Sequence, residues 1–154
     1  MAELPARGAE SFSAPYVLEY NYRRSLGPVV GRFLAGLMEG RIEGIRTAAG
    51  KVLVPPVEYD PETGATLSEF VAVEPRGVVQ AWTWIAEPRP KHPLDRPFAF
   101  ALVKLDGADT AMLHAVDAGS EERMITGLRV AVRWREPRVG SIRDIACFVV
   151  EGAA

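Results

Sequence analysis

The chain has 154 residues, of which 48% are apolar, and this is enough for one folded domain with a hydrophobic core. Its net charge of -2 and its pI near 5.7 argue against a protein whose main task is to neutralise nucleic-acid phosphates. No apolar run approaches the roughly 20 residues of a membrane-spanning helix and the N-terminus has no apolar signal core, so we expect a soluble, cytoplasmic protein.

The N-terminal segment divides into a polar arm and a tyrosine-rich stretch. Residues 1–15 are small, polar and interrupted by proline, and we expect a flexible arm there. The next stretch, "PYVLEYNYRRSLG", contains Tyr20, Tyr22 and Arg23. It either packs on its own domain or binds a partner, because Tyr and Arg are enriched at interface hot spots. Both interpretations remain open.

The stretch "GPVVGRFLAGLMEG" predicts one short helix over about residues 28–39. Gly27 and Pro28 suit its start, and Gly40 suits a left-handed stop. Arg32 and Glu39 fall outside a single apolar stripe, which we expect to face the core. The stripe consists of Val30, Phe33, Leu34, Leu37 and Met38.

Residues 44–64, "GIRTAAGKVLVPPVEYDPETG", are spaced like a small zinc ribbon. Two turns that suit paired metal ligands flank a Pro-Pro step, yet the segment contains no cysteine. The sequence therefore keeps the spacing of a metal knuckle without its ligands.

From residue 67 onward the apolar residues alternate with period two, which is typical of strands. The first of five β-rich runs is long and is interrupted by Pro75 and Gly77, and Asp106-Gly107 predicts a hairpin turn. Five strands with a bent first one fit a small closed or nearly closed OB-type barrel, and a β-sandwich is the alternative. The runs span residues 67–85, 98–105, 110–116, 128–134 and 142–150.

Two features of the barrel half suggest binding surfaces. Residues 86–97 contain four prolines, which predict an extended loop. Aromatic and basic side chains on the strands either bind single-stranded nucleic acid or a nucleotide-bearing cofactor, or simply divide into a core face and a solvated face. These side chains are Trp82, Trp84, Arg129, Arg133 and Arg135.

Catalytic candidates are few. His114 lies in a strand-like run and His92 lies in the proline-rich loop; each is a possible general base, but a lone histidine of this kind is more often packed or exposed. Cys147, the single cysteine, excludes an internal disulfide and sits in an apolar run, where a thiol behaves as a small hydrophobe. We expect no catalytic site and a protein that is not an enzyme.

The order of these segments resembles the acyl-CoA-associated OB-fold family, also known as domain of unknown function thirty-five. The resemblance covers about residues 16–150 and rests on a tyrosine-rich arm, a helix ending "LMEGRIEGIR", a knuckle with "PP", and a barrel with "RGVVQAWTWI", "FAFALVKLDGADTAMLHAV" and "GLRVAVRW". It implies a mainly β fold, with an N-terminal helix and a degenerate zinc-ribbon-like knuckle before a five-stranded OB-fold barrel. The domains expected are an arm at 1–15, the helix and knuckle at 16–66, and the OB fold at 67–154.

In this family the knuckle is a rubredoxin-like zinc ribbon with two paired-cysteine turns. The matching positions here are Arg46, Ala49, Asp60 and Thr63, with Pro55 and Pro56 between them. A structural zinc needs four Cys or His donors, so we predict no zinc.

The resemblance further implies a non-catalytic accessory subunit of a thiolase, a lipid-transfer-type thiolase or aldolase, or a hot-dog-fold enoyl-CoA hydratase. Such a subunit helps to bind or channel acyl-CoA. Arg89, Lys91 and Arg96 are then candidate contacts of the CoA phosphates, and the candidate partner interface comprises Tyr20, Tyr22, Arg23, Phe33 and Leu37. A single-stranded nucleic-acid-binding module and a small enzyme that uses His114 or His92 are the alternatives.

Overall fold

The computed structural model describes residues 13–20 and 25–152. One helix and a small three-stranded sheet precede a five-stranded barrel. In chain order the elements are α1 (Gly27–Met38), β1 (Ile42–Arg46), β2 (Val52–Leu53), β3 (Phe70–Val73), β4 (Arg76–Ile85), β5 (Phe98–Leu105), β6 (Ala111–Asp117), β7 (Arg129–Trp134) and β8 (Ile145–Val150). Short 3-10 turns lie at Glu121–Arg123 and Ile142–Asp144.

Helix α1 begins and ends near the predicted residues. Gly40 has φ of 77°, and this left-handed conformation ends the helix as expected. The buried face is different from the predicted stripe: it consists of Val29, Phe33, Gly36 and Leu37. Val30 and Met38 are 36% and 48% exposed, so their assignment to the core was wrong. Gly36 explains the rotation, because an added Cβ there would lie 3.2 Å from the carbonyl oxygen of Arg41.

The small sheet has the strand order β2-β1-β3 and is antiparallel throughout. β3 pairs with β1 from Ile42–Val73 to Ile45–Phe70. The sequence placed β3 and β4 in one long barrel strand, and this was wrong. Pro75 separates them, since proline lacks the N–H that a continuous ladder needs, and β3 therefore joins the knuckle strands.

The other five strands close into a barrel of order β4-β5-β6-β8-β7. β4 pairs with both β5 and β7, and β6 and β8 form the one parallel pair among the described strands. The five barrel strands match the predicted runs, with β6 extending one residue beyond its run, and the hairpin turn after β5 carries Gly107 with φ of 92°. The closed five-stranded arrangement is that of an OB fold and not of a sandwich.

Gly77 permits the sharp start of β4. A Cβ at this position would lie 2.1 Å from the carbonyl oxygen of Lys104, so only glycine fits between β4 and β5. Two residues further on, β4 has a bulge between Val79 and Ala81, which bends the strand around the barrel.

One hydrophobic core joins the barrel to the N-terminal elements. Phe33 and Leu37 of α1, Ile42 of β1 and Val73 of β3 are buried in the same cluster as barrel residues such as Phe148. The helix and the small sheet are therefore packed on the barrel. In the described part of the chain, no helix is long and apolar enough to span a membrane.

Candidate functional site

Two of the four knuckle positions that the resemblance matches to zinc ligands, Arg46 and Asp60, carry side chains that close the knuckle turns. Arg46 donates to Glu69 at 2.7 Å and to the carbonyl oxygen of Gly50 at 3.2 Å, so it fastens the first turn. Asp60 is 4% exposed, and its Oδ1 accepts from the backbone N–H groups of Glu62 at 2.8 Å and Thr63 at 3.3 Å. The carboxylate therefore caps its own turn.

An ion pair connects the two turns of the knuckle. Lys51 follows the first turn and Glu62 lies in the second, and their charged groups are 2.7 Å apart. The hydrogen bond to Glu62 raises the pKa of Lys51. This contact crosses between turns that a metal ion would otherwise hold together.

The residues of the knuckle do not fit a zinc ion. Arg46, Ala49 and Thr63 offer no Cys or His donor, and the Asp60 carboxylate is already used by two backbone groups. Within residues 13–20 and 25–152, no group of three or more His, Cys, Asp or Glu side chains is arranged to hold a metal. The zinc-free knuckle stays a prediction.

The barrel holds the knuckle through the loop between β5 and β6. Asp109 accepts the N–H of Val52 at 2.7 Å and donates its own N–H to the Val52 carbonyl at 2.8 Å. The Thr110 hydroxyl accepts from the N–H of Val54 at 2.8 Å and donates to the Val54 carbonyl at 3.0 Å. We call Asp109 and Thr110 the clamp. The sequence analysis did not identify either residue.

The proline-rich loop packs on the outside of the barrel. The His92 ring meets the rings of Phe98 and Phe100 edge-on, with centroid distances of 5.7 and 5.9 Å. Of the three candidate CoA contacts, Arg89 and Lys91 are exposed. Arg96 is exposed as well, but its guanidinium donates to Asp117 of β6 at 2.5 Å and so anchors the loop.

Asp117 also accepts from Arg133 at 3.2 Å, so two guanidinium groups share one carboxylate. Burial by itself would raise the pKa of Asp117, but the hydrogen bonds and charges of the two arginines hold it below its usual value. Arg133 is thus engaged on the barrel wall.

The tryptophans and arginines do not form one face. Trp82 and Trp84 are half-buried and pack against the barrel core, as does Trp134. Arg129 donates to Asp106 at 2.8 and 2.7 Å and to Glu151 at 2.9 Å on the outside, while Arg135 is exposed. The tryptophans of β4 and the arginines of β7 are therefore not brought together.

His114 and Cys147 are both packed among other side chains of the barrel. The His114 ring contacts Phe148 edge-on at 5.7 Å, and burial lowers the pKa of its imidazole. Its Nδ1 has no hydrogen-bond partner among the described residues. Cys147 is fully buried, and burial raises the pKa of its thiol, which is the opposite of nucleophile activation.

The residues of the predicted partner interface do not lie together on one exposed surface. Tyr20 is 74% exposed, whereas Phe33 and Leu37 are 4% and 0% exposed and belong to the core, so their assignment to an interface was wrong. They face inward because α1 uses this face to pack on β1 and the barrel. Tyr22 and Arg23 lie outside the described residues.

A partly buried ion pair fixes the helix to the small sheet. Glu43 of β1 is 8% exposed and receives two hydrogen bonds from Arg32 of α1, at 3.1 and 2.8 Å. These bonds hold the pKa of Glu43 below its usual value, against the effect of burial. A charged residue inside a short strand is the signal that could have indicated this pair.

The fold and part of the sequence match known proteins. Residues 70–135 match the family model of the C-terminal OB-fold domain of ChsH2. Seven solved chains are significantly similar in structure, whereas no curated protein is significantly similar.

Two solved structures illustrate the likeness. One is a protein of unknown function from the DUF35 family of Sulfolobus solfataricus, with a TM-score of 0.56 and 19% identity over 69% of this chain and 78% of that chain. The other is a chain of the Ltp2-ChsH2(DUF35) aldolase, with a TM-score of 0.60 and 19% identity over 83% of this chain and 98% of that chain. The chain therefore shares the OB fold of these DUF35 structures, and its residues 70–135 match the OB-fold domain of ChsH2.

Proposed function

We propose that the chain is a non-catalytic accessory subunit of an acyl-CoA enzyme of the thiolase, lipid-transfer-type thiolase or aldolase, or hot-dog-fold hydratase class. The observation that carries this proposal is an exposed apolar segment on a chain with the fold of the DUF35 structures. Residues 15–20 read "PYVLEY", and Tyr16, Val17, Leu18 and Tyr20 are 83%, 73%, 61% and 74% exposed.

This segment has the properties of a binding surface. Contiguous exposed apolar side chains are unusual on soluble monomers and mark interaction sites. Tyrosine adds a large, rigid contact area with a polar end, which is why it is frequent at hot spots. A partner that covers residues 15–20 would remove most of this area from water.

The class of partner is supported by a solved structure with the same fold. One solved chain with this fold is described together with Ltp2 in an aldolase, and the alignment spans 98% of that chain. Both histidine rings pack edge-on against phenylalanine rings, and the cysteine is buried in the core. These packed positions also support an accessory role.

The proposed accessory subunit also contacts acyl-CoA through its proline-rich loop. Arg89 and Lys91 are exposed on the proline-rich loop, and neither side chain forms an ion pair with the described residues. Both cations are available to phosphate groups, which arginine and lysine bind readily. Arg96 would hold the loop on the barrel through Asp117 and would not contact the ligand.

The experiment is affinity capture of the tagged full-length chain from its native lysate, with mass spectrometry and light scattering of the retained complex. We expect an acyl-CoA enzyme of one of the named classes in a fixed ratio. A variant with Tyr16→Ser and Leu18→Ser should retain much less of it, whereas Ile125→Ser, at a 59% exposed barrel-side residue, should retain it fully.

Two results would contradict this proposal. A chain that remains a bare monomer has no partner to assist, and a chain that retains only single-stranded nucleic acid would favour the nucleic-acid alternative. In the second case the salt dependence of binding would be measured next, since phosphate contacts weaken steeply with salt.

A further inference from the structure

Helix α1 is apolar on two sides, and only one of them is covered. The buried side packs on the small sheet and the barrel through Val29, Phe33 and Leu37. A second row of apolar residues recurs every fourth position and therefore lies along one side of the helix. We call this row the outer stripe; it consists of Leu26, Val30, Leu34 and Met38.

The outer stripe is open to solvent along most of its length. Leu26, Val30 and Met38 are 51%, 36% and 48% exposed, whereas Leu34 is half-buried and packs against the core. Gly31 lies on the adjacent turn, and a Cβ built there would meet nothing within 4 Å. The helix backbone is accessible at that point, so another polypeptide can approach it closely.

A solvent-facing helix normally carries charged residues on its outer side, and α1 does not. Arg32 is the one charged residue of "GPVVGRFLAGLM", and no acidic residue lies in its first turn and no basic residue in its last. The Arg32 guanidinium is turned to Glu43 and lies 4.1 Å from the centroid of the Phe70 ring. A helix that is apolar all round is generally buried, which indicates that something covers the outer stripe.

The charges around the stripe indicate what kind of surface covers it. At the C-terminal end of α1, Arg41 pairs with Glu39 at 2.6 Å and with Glu43 at 3.4 Å. Arg138 donates to the Met38 carbonyl at 3.0 Å and pairs with Glu136. Because these arginines are neutralised within the chain, the stripe suits an uncharged apolar protein surface and not an anionic polymer.

The size of the stripe argues against simple pairing of α1 with α1 of a second copy. A helix of 12 residues is about 18 Å long and about 10 Å across, so its outward projection is on the order of 200 Å². A stable interface needs roughly 800 Å² per partner. The covering partner must therefore contact more than α1, and the exposed apolar segment 15–20, just before the helix in the chain, is the adjoining source of such surface.

We propose that the outer stripe of α1 is the rigid part of the surface that binds the partner enzyme, which presents an apolar groove or helix to it. This inference rests on the proposed function and adds to it the element that docks. Segment 15–20 supplies the rest of the contact area.

The test compares variants of the full chain for binding to the purified partner enzyme by calorimetry. Val30→Glu and Met38→Glu should each weaken binding roughly tenfold or more, because each would bury an unpaired carboxylate at the interface. Ile125→Glu, at a 59% exposed apolar residue in the connection before β7, should bind as the parent chain does. Thermal unfolding of all variants checks that they fold. If Val30→Glu does not fold, binding is measured with Val30→Ser in its place.

The possible failures are distinguishable. If the parent chain binds the enzyme and the stripe variants bind it equally well, the stripe is not the docking element and the accessory function stands. If light scattering shows a dimer of the chain that Val30→Glu dissociates, the occupant is a second copy and the inference is overturned. If the parent chain binds no acyl-CoA enzyme, both the function and the docking surface are wrong.

Discussion

At the scale of single residues, Asp144 organises the loop that holds the end of α1. Its side chain is fully buried and accepts three backbone N–H groups, from Val139 at 3.0 Å, Gly140 at 2.7 Å and Ser141 at 3.1 Å. The same loop carries Arg138, which donates to the Met38 carbonyl. One carboxylate thus fixes the position of the residue that caps the helix.

Replacing this carboxylate should destabilise the protein in a pH-dependent way. Burial by itself would raise the pKa of Asp144, but the three backbone donors hold it below its usual value. A depressed pKa stabilises the fold above the unfolded-state pKa of about 4, and this stabilisation is lost as the pH falls through the folded-state pKa. We expect Asp144→Asn to lower the free energy of unfolding at pH 7 by roughly 1–3 kcal/mol.

Urea unfolding at pH 7 and at successively lower pH measures this effect. The difference between the parent chain and Asp144→Asn should shrink toward acid, because the parent chain loses the same contribution on protonation. Asp95→Asn is the matched control, since the Asp95 side chain is 96% exposed. A change of less than about 0.5 kcal/mol at pH 7 would show that Asp144 behaves like a surface residue.

The role of Asp144 was partly visible in the sequence. Ser141 and Asp144 have the spacing of a capping box, and the structure contains both of its hydrogen bonds. The additional bonds from Val139 and Gly140 depend on a loop conformation that residue spacing does not specify. Side-chain partners that are distant in sequence, such as Arg129 and Asp106, were likewise outside the reach of local patterns.

At the scale of elements, local sequence signals predicted where the helix and the strands begin and end. They did not predict which elements contact each other. Gly40 ends α1 and the barrel strands follow the period-two runs, because glycine conformation and alternation are local properties. The buried side of α1 depends on the close approach of Gly36 to Arg41, and the sheet that β3 joins depends on β1. Both features depend on tertiary contacts, which the sequence pattern does not specify.

The clamp on the knuckle provides a prediction at this scale. Val54 is 2% exposed, and its N–H and carbonyl both bond to the Thr110 hydroxyl. Thr110→Val keeps the shape of the side chain but leaves two buried backbone groups without a partner. We expect a loss of roughly 1–3 kcal/mol in the free energy of unfolding, measured by urea titration.

The control for this variant is Thr83→Val, because Thr83 is an exposed residue on β4. It should change stability by less than about 0.5 kcal/mol. Equal stabilities of the two variants would mean that the knuckle does not depend on the barrel loop.

At the scale of the whole molecule, the helix, the small sheet and the barrel share one core. Val52 and Val54 of the knuckle lie in the same buried cluster as Leu37 of α1 and Phe148 of β8. Removing the knuckle from this cluster would expose apolar surface on the barrel as well. The parts of the chain are therefore expected to unfold together and not as separate domains.

This shared core leads to a prediction about metal removal. A zinc ribbon normally obtains its folding free energy from the metal, so a chelator unfolds it. Here the knuckle is held by the Lys51–Glu62 ion pair, the Asp60 cap and the clamp of Asp109 and Thr110. We expect one cooperative thermal transition whose midpoint is the same with and without EDTA, and no stoichiometric zinc in elemental analysis. A midpoint that falls on chelation, or a separate low-temperature transition, would mean that metal or independent folding contributes to the knuckle after all.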